Sequence, residues 1–125
     1  MNRRLFLGIG FAVWLLATVV FRLAGQLFFR PDQPLPLTLL WLATAAAMVV
    51  IARLLFSWRE LARAQRFEAA ALLVAPGMAL DAVAIELFVD VFPNMPPDSA
   101  GSFGAWLLIA YASVLIAAIL PSEAN

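Results

Sequence analysis

Apolar residues fill this chain in four long blocks, separated by short polar or proline-rich breaks. Leu5–Phe29 follows the basic start Asn2-Arg3-Arg4, and Leu37–Trp58 follows the turn Pro31-Asp32-Gln33-Pro34-Leu35-Pro36. Ala69–Phe92 follows a charged stretch, Arg59–Glu68, whose Leu61, Ala64 and Phe67 let it stay helical along a membrane surface. Phe103–Leu120 lies between Pro93-Asn94-Met95-Pro96-Pro97-Asp98 and Pro121, with Asp98, Ser99 or Ser102 available to cap its start. Each block holds roughly 18–25 residues, enough to cross ~30 Å of hydrocarbon at ~1.5 Å per residue. The pattern predicts an all-α fold, a single domain over residues 1–125 built as a four-helix transmembrane bundle.

Two other readings of the blocks fail. A signal peptide would carry an apolar core of about 7–15 residues and then a small-residue cleavage site. The charge-free stretch Leu5–Phe21 is longer, and Arg22 stands where a small residue is needed. A soluble bundle would show polar outer faces at helical spacing. The run from Ala45 to Ala52 is apolar all round.

Composition agrees with lipid as the solvent. Of the 125 residues, 65% are hydrophobic and 13% charged, about half the charged share of a soluble domain; the mean hydropathy is +0.96. Eight arginines balance eight acids, so a nucleic-acid partner has no electrostatic support. The absence of cysteine, histidine and lysine removes disulfides, thiolate and imidazole ligands, Ser-His nucleophiles and Schiff bases. The expectation is therefore a protein that is not an enzyme and holds no cofactor and no metal.

Arginine placement sets the expected orientation. Arg3, Arg4, Arg53, Arg59, Arg63 and Arg66 fall on one side, and Arg30 on the other. By the positive-inside rule both termini and the Arg59–Glu68 loop are cytoplasmic, N-in/C-in.

Polar residues within the blocks are costly, about 2.5–3.5 kcal/mol per charge on insertion scales, so each calls for a partner or a purpose. Thr18, Arg22 and Gln26 recur at i, i+4 steps in the first block; Asp81, Glu86 and Asp90 lie in the third. Counting helical rise back from Phe29 and Phe92 puts Arg22 and Glu86 at one depth, about 10 Å and 9 Å from the interface. Gln26 and Asp90 are level nearer the surface. The expected cluster pairs Arg22 with Glu86 and Gln26 with Asp90. Glu86 and Asp90 share a helical face with Ala75, Ala79 and Ala82, small residues that suit packing against the first helix. Such a cluster is either a structural bridge or a substrate or proton site.

Asp81 lies on the opposite face, with Val74, Gly77, Ile85 and Phe88, near the bilayer centre and with no basic residue at its depth. Pro76-Gly77, about one turn earlier, predicts a helix break beside it, as in the broken helices of transporters. The alternative is a protonated, hydrogen-bonded Asp81 at a helix–helix or subunit interface. Tyr111, Ser113, Thr38 and Thr44 read as bundle hydrogen-bonders, and Trp14, Trp41 and Trp106 as packing.

The strings Val13-Trp14-Leu15-Leu16-Ala17-Thr18, Phe21-Arg22-Leu23-Ala24-Gly25-Gln26, Pro76-Gly77-Met78-Ala79-Leu80-Asp81-Ala82, Val91-Phe92-Pro93-Asn94 and Gly104-Ala105-Trp106-Leu107 resemble an uncharacterised family of small bacterial four-span proteins, a domain of unknown function. The resemblance implies a bacterial inner membrane and the same four-helix plan, and no activity. The small multidrug-resistance exporters are similar in size, but depend on a carboxylate in the first helix, where this chain has Arg22.

Two function classes follow. One is a proton- or cation-linked transporter or channel-like protein, with Asp81 and the Arg22–Glu86 pair lining its path. The other is a non-catalytic subunit or helper that packs through its Asp81 face. The partners expected are the lipid bilayer and a second copy of the chain or a larger membrane complex. For topology, labels at Asn2, Arg63 and Asn125 should react only from the cytoplasm, and labels at Asp32 and Asp98 only from outside. Equal labelling from both sides in a membrane-impermeant reagent assay would mean dual insertion.

Overall fold

A computed structural model of the protein describes residues 1–27, 29 and 34–121. It is all-helical. Helix α1 spans Arg3–Ala24 and tightens into a 3₁₀ turn over Gly25–Leu27; α2 spans Pro34–Trp58, α3 Arg63–Glu86, the short α4 Phe88–Val91, and α5 Ala100–Ile119 after a 3₁₀ turn at Pro97–Ser99. Four of these helices are long and apolar enough to cross a membrane.

The helix ends follow local chemistry. Asn2 caps α1, its side chain accepting from the Leu5 N–H at 3.1 Å. Proline opens α2, where its missing N–H costs nothing. A tight turn separates α2 from α3: Glu60 takes a positive φ of 52° and the Leu61 N–H closes on the Phe56 carbonyl. Gln65 then reaches back to accept from the Ala62 N–H. The charged stretch is thus a turn followed by the first turns of α3 and forms no separate surface helix.

Helix α3 runs unbroken through Pro76 and Gly77, against the expected break. Proline removes one intrahelical bond, and α1 and α5, both packed on α3, hold the remaining ones in place. The interruption comes at Leu87 instead, whose φ of −102° and ψ of 34° separate α3 from α4.

Leu16, Leu23, Leu42, Leu54 and Leu108 are each about two-thirds exposed, and they stand on three different helices. A coat of exposed leucine is unstable in water and at home in lipid. The protein is a multi-pass membrane protein.

The long helices follow one another around the bundle in the order α1, α3, α5, α2: α1 packs on α3, α3 on α5 and α5 on α2. Among the described residues no comparable contact joins α2 back to α1, which leaves that seam loosely closed. Two buried clusters lie at opposite ends. At the proline-rich end Phe21 and Phe29 pack edge to face on Phe103 and Trp106, and Phe88 and Phe92 add tilted contacts to Phe103. At the basic end Phe6 and Phe56 fit among Ala52, Ala69, Ala70, Ala117 and Ala118. That end is also tied by arginines: Arg3 to Glu68, Arg53 to the Pro121 carbonyl at 2.8 Å, and buried Arg66 to the Leu61 carbonyl, its guanidinium over the Phe56 ring.

Close packing of α1 on α3 depends on Gly10. A Cβ there would run into the Leu73 backbone carbonyl, a group that cannot step aside without moving α3. Gly10→Ala should therefore destabilise the fold by about 1–3 kcal/mol, read as a lower thermal midpoint in detergent, whereas Gly8→Ala, with open space around it, should be neutral.

Candidate functional site

Between the two clusters the four long helices line a partly open cavity of about 220 Å³. Its wall is almost wholly apolar, drawn from α1 (Val13, Ala17), α2 (Met48, Ile51), α3 (Leu73, Val74) and α5 (Ala110, Val114). Phe21, Phe103 and Trp106, from the aromatic cluster, close it at the proline-rich end, and Ala52 belongs to the cluster at the other.

Asp81 is the one charged side chain in this wall among the described residues, and it is buried. Its two oxygens are held separately. The Trp14 indole N–H donates to Oδ1 at 2.8 Å, and the Tyr111 hydroxyl donates to Oδ2. Trp14 and Tyr111 come from near the midpoints of α1 and α5, so the carboxylate joins three helices close to the middle of the membrane. Helical side chains lean toward the N-terminus, which brings the carboxylate back over Gly77. Glycine is needed there because a Cβ would stand 2.8 Å from the Tyr111 hydroxyl and 3.4 Å from the Trp14 ring. Gly77 thus admits the two donors, and the pair Pro76-Gly77 works through space rather than through a broken backbone.

A second polar contact lies on the wall between α2 and α5, where the Trp106 indole donates to Thr44 Oγ1 at 2.8 Å. Thr18, next to Asp81's partner on α1, returns its hydroxyl to the Trp14 carbonyl.

The expected polar cluster does not assemble. Arg22, Glu86 and Asp90 are all exposed, and Arg22 and Glu86 form no ion pair. Gln26 donates to the Leu23 carbonyl, and its Oε1 accepts from Asn94, not from a group on Asp90. The reason lies in where the helices stop. The α-helical part of α1 ends at Ala24 and α3 ends at Glu86, so Arg22, Glu86 and Asp90 stand at the rim of the bundle, where long side chains reach the headgroup layer. The face with Ala75, Ala79 and Ala82 is exposed as well; α3 buries Val74, Gly77, Asp81 and Ala84 instead. Sequence pattern alone gives Trp14 as packing and Tyr111 as a bundle hydrogen-bonder, whereas both bond Asp81. What marks them as partners of Asp81 is shared depth near mid-helix, with glycine one turn below the carboxylate.

Tyr111→Phe strips the donor from one buried oxygen of Asp81. The expected loss is about 1–3 kcal/mol of stability, measured as a lower unfolding midpoint; an unchanged midpoint would mean that the hydroxyl is not needed there.

Comparison with curated proteins and with solved structures gives no match. A family profile does match, over residues 28–125, which include Asp81 and Tyr111 but not Trp14. The chain belongs to DUF5367, a family of unknown function.

Proposed function

We propose that the protein is a small carrier of the bacterial inner membrane, linked to proton or cation movement, with the mid-membrane cavity as its binding site and Asp81 as the charge in that site. The observation that carries this reading is a buried carboxylate in a cavity wall that holds no basic residue among the described residues. Charge at that depth is retained in membrane proteins chiefly where an ion, proton or ligand meets it. The closed aromatic cluster at one end and the Phe6–Phe56 cluster at the other favour a carrier that must change shape over a permanently open channel. Both termini would be cytoplasmic, given the arginines gathered at one end of the bundle. No enzymatic activity is proposed. A helper docking through its Asp81 face draws no support from a carboxylate that points into the bundle. A homodimer or larger complex would have to form through the leucine-coated exterior.

The test is a pH-gradient assay in reconstituted vesicles with matched amounts of folded protein. Wild type should collapse the gradient faster than empty vesicles. Asp81→Asn, which keeps an acceptor of similar shape but cannot titrate, should fall to the background rate. Absence of proton, sodium or potassium movement by both folded proteins would overturn the carrier reading.

A further inference from the structure

We infer that the ligand of this cavity is a small organic cation, an aromatic or aliphatic body bearing an ammonium-type head, which reaches Asp81 sideways from the lipid through the seam between α1 and α2. The inference deepens the carrier reading and takes its site from it.

Four observations converge on this class. The first is charge. A carboxylate offers about four lone-pair positions, and only two donors, Trp14 and Tyr111, are supplied. Both are neutral. No arginine lines the cavity among the described residues, so when the carboxyl group is ionised its countercharge comes from outside the chain. A bare metal cation is a poor fit, because no other carboxylate joins Asp81: among the described residues no three acidic groups gather, and hard cations take six or more oxygens.

The second is the wall. Apart from Asp81, its partners and the hydroxyls of Thr18 and Thr44, which are bonded to the Trp14 carbonyl and the Trp106 indole, apolar and aromatic groups surround the space. They solvate a hydrocarbon body and not a hydrated ion. Trp14 and Tyr111 stand against the carboxyl group and Phe21 and Trp106 border the same cavity, and aromatic rings beside an acid are what an ammonium head selects.

The third is size. An apolar cavity of about 150 Å³ accepts benzene. A cavity of about 220 Å³ therefore accommodates one ring with a small head.

The fourth is the route. Val13 on α1 and Ile51 on α2 both line the cavity and yet remain about half exposed, so they form its rim. Both stand well inside their helices, about 15 Å along α1 from Arg3 and about 10 Å along α2 from Trp58. The rim therefore opens on hydrocarbon, at the one seam where neighbouring long helices lack close contact. A lipophilic cation partitions into that layer; a sugar or a free amino acid does not.

The test uses full-length protein in lipid nanodiscs and two probes of equal shape: benzyltrimethylammonium and its uncharged carbon isostere, neopentylbenzene. Binding is read by quenching of tryptophan fluorescence and by calorimetry. Wild type should bind the cation saturably, Asp81→Asn should bind it at least tenfold more weakly, and both should bind neopentylbenzene alike, which also certifies that the variant keeps its cavity. Val13→Phe combined with Ile51→Phe should slow association of the cation at least fivefold while the Asp81 dependence persists. Equal binding of cation and isostere, or cation affinity untouched by Asp81→Asn, would overturn the ligand class. Unchanged association in the rim variant would overturn the lateral route. Proton flux that depends on Asp81 without cation binding would overturn this inference alone. Cation binding that depends on Asp81 without any flux would uphold it and overturn the carrier reading.

Discussion

The arrangement of this bundle turns on one carboxyl group buried among its helices. Asp81 holds Trp14 on α1 and Tyr111 on α5 at its two oxygens, so a single side chain of α3 ties three helices at one level. In lipid, helix association gains nothing from burying apolar surface, because the tails are as apolar as leucine. Directional bonds at mid-membrane therefore fix rotation and height in a way that leucine packing cannot. The small residues around them serve the same contact: Gly10 lets α1 close on α3, and Gly77 makes room for the two donors.

The same bonds explain why the bundle is hollow. Trp14 and Tyr111 reach toward α3, and α2 takes no part in the tie; it is held by α5 through Thr44 and Trp106 and by the Phe56 cluster at its basic end. Helices α1 and α2 are thus anchored to different partners. Their facing sides contribute medium-sized and small side chains such as Val13, Ala17, Met48 and Ile51, which line a space without filling it.

Span number and the Asp81 face are readable along the chain, because both rest on length, composition or helical phase. Asp81 was placed with Val74 and Gly77, and those residues are buried with it in the structure. The Arg22–Glu86 pair was not readable for a definite reason. Depth was counted from aromatic residues, Phe29 and Phe92, taken as the ends of spans, but Phe92 belongs to a cap beyond the end of α3. An error of one to two turns in a helix end turns a buried charge into an interfacial one. The alanine stripe misled for a related reason: small residues permit close approach without requiring it, and here Gly77, not Ala79 or Ala82, meets the neighbouring helices.

Stability alone gives no reason for Asp81. A buried ionic group is often replaceable by apolar residues at no loss, since desolvation offsets much of what its bonds return. A leucine in its place would fill part of the cavity, and Trp14 and Tyr111 would then need partners of their own. The chain instead keeps the acid, gives it two neutral donors and leaves apolar space beside it. Neutral donors orient a carboxylate without cancelling its charge, whereas an arginine would have done both. The geometry therefore leaves the carboxyl group oriented but without a countercharge among the described residues, in a pocket of low dielectric where any charge it carries acts more strongly than in water. Sequence patterning makes the membrane bundle; what sets this site apart is that, among the described residues, no basic side chain lines the cavity beside Asp81.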